Sequence, residues 1–255
     1  MVFSDLIKLL EIEYQIVSQE VKGSKVDAVL HRNQNQTLDN VCINYLQHNP
    51  QQYIGDYLYI QARQSDVNMI FFLSEVVVDI LKRFREATSV APQHMVLYFS
   101  GISEGQFSLV SSVTETYMKA IHTGISSLST NYKPHITALA VSKDHNERIY
   151  KSKISGTRAS EQNIPPGTVV DTKIVSPVIN EFYLNAHSAF QGTAKTPKYS
   201  LLADDSKVPL DIVERMTHGL CFLHEIVTST VSVPVPLIVA DRCAKRGHNV
   251  FIANS

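Results

Sequence analysis

The sequence predicts a layered α/β protein, and three observations carry that reading. Two long segments, residues 67–87 and 104–126, repeat apolar side chains at helical spacing. Shorter runs suited to extended backbone separate and follow them, giving the order strand, helix, strand, helix, strands, helices. Hydrophobic residues make up 44% of the 255-residue chain, enough to fill a sizeable core.

Taken in order, Ser4 and Asp5 can cap a short helix running to Leu10. Residues 14–21 alternate weakly and read as a strand, and residues 24–30 as a helix. Residues 36–44 read as a second helix, with Leu38, Val41 and Cys42 on one face. In residues 53–62, Tyr57, Tyr59 and Ile60 favour a strand. The helix over 67–87 is closed by Ala91-Pro92, because the residue before proline avoids helical backbone. Residues 94–98 form a short buried strand, 104–126 the second long helix, and 136–141 another strand. Residues 152–166 are polar and end in Pro165-Pro166-Gly167, so they form a loop. Three strand-like runs follow at 169–175, 181–187 and 199–203. Helices are expected at 210–228 and 237–250. The polar stretch 47–52, with Pro50, suits a boundary near residue 45.

Composition excludes several classes. The formal net charge is -1, so any nucleic-acid site must be a local basic patch rather than a global field. Cys42, Cys221 and Cys243 are far apart and odd in number, which argues against a disulfide framework and a cysteine-based zinc site and suits a reducing compartment. No signal-peptide pattern opens the chain, and the apolar run 233–240 is short and holds Pro234 and Pro236, so no membrane span is expected.

Gly101-Ile102-Ser103-Glu104-Gly105 matches G-x-S-x-G between a strand and a helix, the context of a serine nucleophile. Ser103 would need a base and an orienting acid, and Asp204 with His218 or His224 are candidates. Against a serine esterase, only Gly23 and Gly55 precede the motif, so the upstream glycine-rich oxyanion loop is missing. Two glycines that permit a tight strand-to-helix turn explain the same residues.

The longer string Tyr98-Phe99-Ser100-Gly101-Ile102-Ser103-Glu104-Gly105-Gln106-Phe107 resembles the Argonaute segment Y-R-D-G-V-S-E-G-Q-F. Phe182-Tyr183-Leu184-Asn185-Ala186-His187, followed by Gln191-Gly192-Thr193-Ala194-Lys195-Thr196-Pro197, is similar to F-Y-L-x-S-H and Q-G-T-x-[RK]-P of the Piwi domain. Asp204-Asp205 matches a later D-D pair, and Val231-Ser232-Val233-Pro234-Val235-Pro236 leads to Ala240-Asp241 as S-V-x-x-P-x-P leads to A-H. Ala244-Lys245-Arg246-Gly247-His248 is most like the worm-type secondary Argonautes. Nearer the N-terminus, residues 14–19 and 36–42 resemble a strand and a helix of the Mid domain. The resemblance therefore implies a partial Mid domain over 1–44 and a Piwi domain over 45–255. The fold implied is RNase H-like, a mixed sheet flanked by helices, lacking its first strands because a block after Asn44 is absent. The chain then leaves no room for the N and PAZ domains, and residues 53–62 are expected beside the strand 94–98, or a gap there.

Cutting Argonautes hold two divalent metals with several carboxylates. By the resemblance, the first acid lies in the missing block, and the others map to Asn68, Ser100 and Asp241, of which only Asp241 can ligate a metal. Asp66 and Glu104 are nearby acids, but Glu104 reads more simply as a helix N-terminal acid favoured by the dipole. The expectation is a protein that does not cleave RNA and needs no cofactor.

RNA binding is still implied. Gln19 and Arg246 match members of the guide 5′-phosphate pocket, which is half kept because Asn44 replaces a lysine. Lys143, Arg148, His187, Gln191 and Lys195 match residues along the guide backbone, with Asp144 standing where an arginine is usual. A lone surface cation is ordinarily only solvated, and a histidine at a strand end can be a hydrogen-bonded core residue. The motif context favours Gln191 and Lys195 most. The implied partners are a small single-stranded guide RNA, its target, and silencing-complex proteins, in the cytoplasm or nucleus. The alternatives are a protein-interaction module and a truncated product without function.

Overall fold

The computed structural model describes residues 16–22, 37–44, 53–60, 66–100, 107–153, 156–224 and 226–254; before residue 71 and over 107–114 it describes the backbone alone. The helices expected over 4–10 and 24–30, and the turn 101–105 with Ser103 and Glu104, lie outside the described residues.

One eight-stranded mixed sheet organises the chain. Its strands are β1 (Ile16–Lys22), β2 (Thr37–Asn44), β3 (Tyr53–Ile60), β4 (His94–Ser100), β5 (His135–Ser142), β6 (Thr168–Val170), β7 (Glu181–Asn185) and β8 (Lys198–Asp204). Across the sheet they run β3-β2-β1-β4-β5-β8-β7-β6. The β1–β4 and β4–β5 pairs are parallel and the others antiparallel. The described α-helices are α1 (Asp66–Thr88), α2 (Phe107–Leu128), α3 (Leu210–Leu220) and α4 (Val235–Asn254).

Strand β4 shows why the protein is layered. Met95, Leu97 and Phe99 point to one face, against Val77, Ile80 and Phe84 of α1 and Ile121 and Ile125 of α2. Val96 and Tyr98 point to the other, with Leu139, Leu184, Val213 and Met216. A strand buried on both faces must be apolar throughout. Each such side chain contributes roughly 1.5–3 kcal/mol of burial. Tyr98 carries a hydroxyl into this core and finds Thr217 Oγ1 at 3.0 Å. Thr217 spends its own proton on the Val213 carbonyl, so the tyrosine is the donor. Helices α1 and α2 approach closely at Gly124, where a Cβ would lie 2.6 Å from the Ser74 carbonyl oxygen.

Four expectations need correction. Residues 37–44 form a strand, not a helix: the apolar positions fitted a helical face, but Thr37, Val41 and Ile43 are β-branched, and β2 gains partners on both sides, Asn44 opposite Ser18 and Tyr53. The place beside β4 is taken by β1, neither empty nor filled by residues 53–60, which form the edge strand β3. The sheet is thus continuous across the boundary expected near residue 45, and α4 packs against β1, β2 and β3. The helix expected over 210–228 ends at Leu220, where the Cys221 and Phe222 amides turn back to the His218 and Gly219 carbonyls. The strand expected over 169–175 is shortened to Thr168–Val170, and Lys173 beyond it has left-handed backbone (φ 65°). Among the described residues, no helix is long and apolar enough to cross a membrane.

Candidate nucleic-acid interface

Parallel strands β4 and β5 end on the same side of the sheet. Carboxyl ends of such strands are where open α/β sheets form their ligand crevices. Here Ser100 closes β4, Ser142 closes β5, and Lys143 and Asp144 follow directly. The first two turns of α4 and the residues before it face them, contributing Ser232 and Asp241, and the groove so formed measures about 400 Å³. Pro234 and Pro236 let α4 start there, since the first-turn amides of a helix have no intrahelical acceptor.

Two of the positions that the resemblance maps to metal ligands, Ser100 and Asp241, line this groove but supply poor donors. Ser100 is neutral. Asp241 is engaged by Lys245 one turn along α4, Oδ2 to Nζ 2.8 Å. Asp144 is the other acid on the rim, and it is exposed. Among the described residues no three His, Cys, Asp or Glu side chains gather as metal ligands. Two carboxylates, one already paired, do not fit a pair of hard cations that each need several oxygen ligands. Asn68 falls in the first turn of α1, its side chain outside the described residues.

The basic side chains are better placed. Lys143 is half-buried, and its Nζ donates to Ser232 Oγ. Burial lowers the Lys143 pKa, the nearby Cys221 opposes the shift, and Lys195 adds to it. His187, just beyond β7, is held below its ordinary value by burial and by Lys143. Its Nδ1 is buried without a hydrogen-bond partner among the described residues. Lys143 thus feels Lys195 and acts on His187, the three side chains coming from three separate loops.

Residues that the sequence did not single out hold those loops. Asn163 donates to the Gly192 carbonyl (3.0 Å) and accepts from the Ala194 amide (3.0 Å), fixing the turn that carries Gln191 and Lys195. Gly192 sits at φ 68° with open space around it, so backbone conformation alone calls for glycine. Asn185 donates to the Ile164 carbonyl (2.8 Å) behind His187. Buried His145 ties the loop after β5 to the Thr196 carbonyl (2.8 Å). Its Nδ1 also lies 2.9 Å from Glu147 Oε2, off the line of a good hydrogen bond. The signal for these roles was weak, since an asparagine in a polar loop looks alike whether it is pinned or solvated.

Other expected site residues stand apart from the cluster. Arg148 folds back onto its own loop, Nη1 donating to the His145 and Glu147 carbonyls at 2.9 and 2.7 Å. Gln191 is exposed near Lys195, and Arg246 is exposed on α4. Gln19 is mid-strand in β1, opposite Ile43 and Leu97, with its side chain outside the described residues. The esterase candidates Asp204 and His218 have other partners: Asp204 accepts from Thr137 Oγ1 and the Ser206 amide, whereas His218 packs against Phe222 and beneath Gly167.

Residues 41–251 match the Piwi domain. The chain belongs to the Piwi family. Among curated Argonaute relatives, Argonaute protein wago-1 of Caenorhabditis elegans is 35% identical over 201 residues, covering 78% of this chain and 20% of its own length. Protein argonaute 1B of rice (Oryza sativa subsp. japonica) is 35% identical over 173 residues, 67% of this chain and 15% of its own. This Piwi chain therefore spans about a fifth or less of these relatives. The fold is similar to the C-terminal lobe of a budding yeast Argonaute, with a TM-score of 0.76 at 20% identity over 98% of this chain and 52% of that one. It also resembles the Kluyveromyces polysporus Argonaute solved with a guide RNA, TM-score 0.73 at 20% identity, covering 95% of this chain and 29% of that one. The Piwi match begins inside β2, and the mixed sheet flanked by helices is the RNase H-like arrangement expected from the motifs.

Proposed function

We propose that this Piwi-family chain binds small single-stranded RNA, a guide and its target, in RNA silencing, and does not cut it. The observation that carries the reading is Lys143 in the groove at the ends of β4 and β5, with a second cation, Lys195, near enough for its charge to act on it. A chain with net charge -1 does not attract RNA by its overall field, so these local cations must do so. Phosphate contacts of this kind carry no sequence information, and binding is accordingly sequence-independent. The related structure with a guide RNA supports an RNA partner. The donor set at Ser100 and Asp241 supports the absence of cleavage. We place the protein in the cytoplasm or nucleus on the same reading.

The test is a gel in which the protein, a guide and a labelled complementary RNA are incubated with Mg²⁺ or Mn²⁺. The RNA is expected to be retarded and intact. Site-specific cutting that Asp241→Ala abolishes would overturn the non-cutting half of the proposal, and no retardation would overturn the binding half.

A further inference from the structure

The opposite edge of the sheet, where β4 and β5 begin, gathers a second set of polar side chains. His94 opens β4, His135 opens β5, and the two stand directly opposite in the parallel register. Facing residues of neighbouring strands point to one side of a sheet. Here it is the α3 side, with Val96 and Leu139 further along the same strands. The two rings meet edge to face with centroids 6.1 Å apart. Both line one cavity of about 210 Å³, which Ser206, Lys207, Val208 and Pro209 also line on the way into α3. His94 is 4% exposed, and its Nε2 lies 2.8 Å from Thr137 Oγ1. Thr137 gives its own proton to Asp204 Oδ1 at 3.1 Å, because a carboxylate only accepts. The hydroxyl oxygen must therefore accept from His94 Nε2–H, which leaves a lone pair on Nδ1.

A lone pair on a fixed imidazole takes a hydrogen-bond donor or a metal ion, and three observations favour the metal. A histidine ligand is characteristically oriented by a hydrogen bond from its other nitrogen, and the chain from His94 through Thr137 to Asp204 is such a support. A second imidazole stands at the right spacing. Two rings that share one ion at about 2.0–2.1 Å per nitrogen hold their centroids about 5–6 Å apart. His135 is exposed and can turn to close the small remainder. Charge points the same way: burial and His135 disfavour the His94 imidazolium that an anion would need, while Asp204 and Asp205 favour positive charge beside it. Lys207, the cation on the lining, is exposed, so its ammonium keeps to water. We propose that His94, through Nδ1, and His135 ligate one transition-metal dication of the zinc class, to which imidazole is suited. Water completes the coordination, so the ion exchanges and is not a structural one. The site stands apart from the groove, since His94 and Ser100 are the two ends of β4, about 20 Å from one another. It does not depend on the RNA reading.

The experiment is calorimetric titration of the full chain with zinc chloride at pH 7.5 in a non-chelating buffer, without RNA. Wild type is expected to show a saturable step of one ion per chain. His135 is exposed, so His135→Gln keeps the fold, which circular dichroism checks. That variant should weaken the step by at least about ten-fold, no less than an outer-shell partner contributes. His122→Gln, exposed on α2 and outside the cavity lining, should bind as wild type does. Nitrogen NMR of the imidazole rings tests the geometry without a variant. In metal-free protein His94 should carry its proton on Nε2, and zinc should shift its Nδ1 signal. No saturable step, a step equally strong in His135→Gln, a step lost in His122→Gln, or a His94 proton on Nδ1 in the metal-free protein would overturn the site.

Discussion

Replacing Lys198 by methionine tests whether the sheet beneath the groove depends on one buried ion pair. Lys198 Nζ lies 3.1 Å from Glu181 Oε2, with only 9% and 2% of the two side chains exposed. Methionine keeps most of the volume and removes the charge. Glu181 would retain the Ser176 amide on Oε2 (3.0 Å) and the Ser200 hydroxyl on Oε1 (2.7 Å). Breaking a buried pair from one side costs about 3–5 kcal/mol, because a charge is left without its partner. The two remaining donors place the expected loss at the lower end, about 3 kcal/mol. For a domain of this size, each kcal/mol moves Tm by about 2–4 °C, so a fall of about 6–12 °C is expected. Thermal denaturation followed by circular dichroism reads it. Adding Glu181→Gln to Lys198→Met should recover part of the loss by removing the stranded charge. A drop below about 1 kcal/mol, or no recovery in the double variant, would refute the reasoning, since it would mean that the pair is solvated and contributes as a surface bridge does. Because β7 runs into His187 and the β8 segment begins just after Lys195, weakened RNA binding should accompany the loss.

Gly124→Ala puts a methyl group 2.6 Å from the Ser74 carbonyl oxygen and must push α1 from α2, an overpacking cost of about 1–3 kcal/mol measurable by urea denaturation. Glu214 titrates at about 7, raised by burial and by Asp171 and Asp211 against a weaker pull from Arg215. Its folded pKa exceeds its unfolded one, so the folded state is favoured below about pH 4.5 and that advantage is lost as pH rises through about 7. Glu214→Gln should therefore raise Tm at pH 8 and change it little at pH 5; equal effects at both would contradict the assignment.

Much of the fold was legible because its central elements carry local signals. Residues 95–98 are apolar without a break, and α1 and α2 repeat their core residues at helical spacing, so burial on two faces and on one face could be distinguished. Residues 37–44 were misread because Leu38, Val41 and Cys42 fit a helical face, while the pairing that decides the matter comes from β1 and β3. The groove was half legible. Motif likeness singled out Lys143 and Asp241, which line it. It could not show that Arg148 turns back onto its own loop, nor that Ser232, 89 residues away, receives the Lys143 hydrogen bond. Asn163 escaped for the same reason, since its partners lie 29 and 31 residues along the chain.

The central claim is that local cations hold single-stranded RNA in this groove. The most direct test is the salt dependence of RNA affinity near pH 7.5, where His187 is neutral in the free protein. Two to three neutralised phosphates give a slope of log affinity against log salt of about -1.4 to -2.1 for single strands, or a fall of about 7- to 20-fold between 50 and 200 mM salt. Lys143→Ala with Lys195→Ala should remove most of that slope. An affinity that does not change with salt, or a slope unchanged in the double variant, would contradict the account.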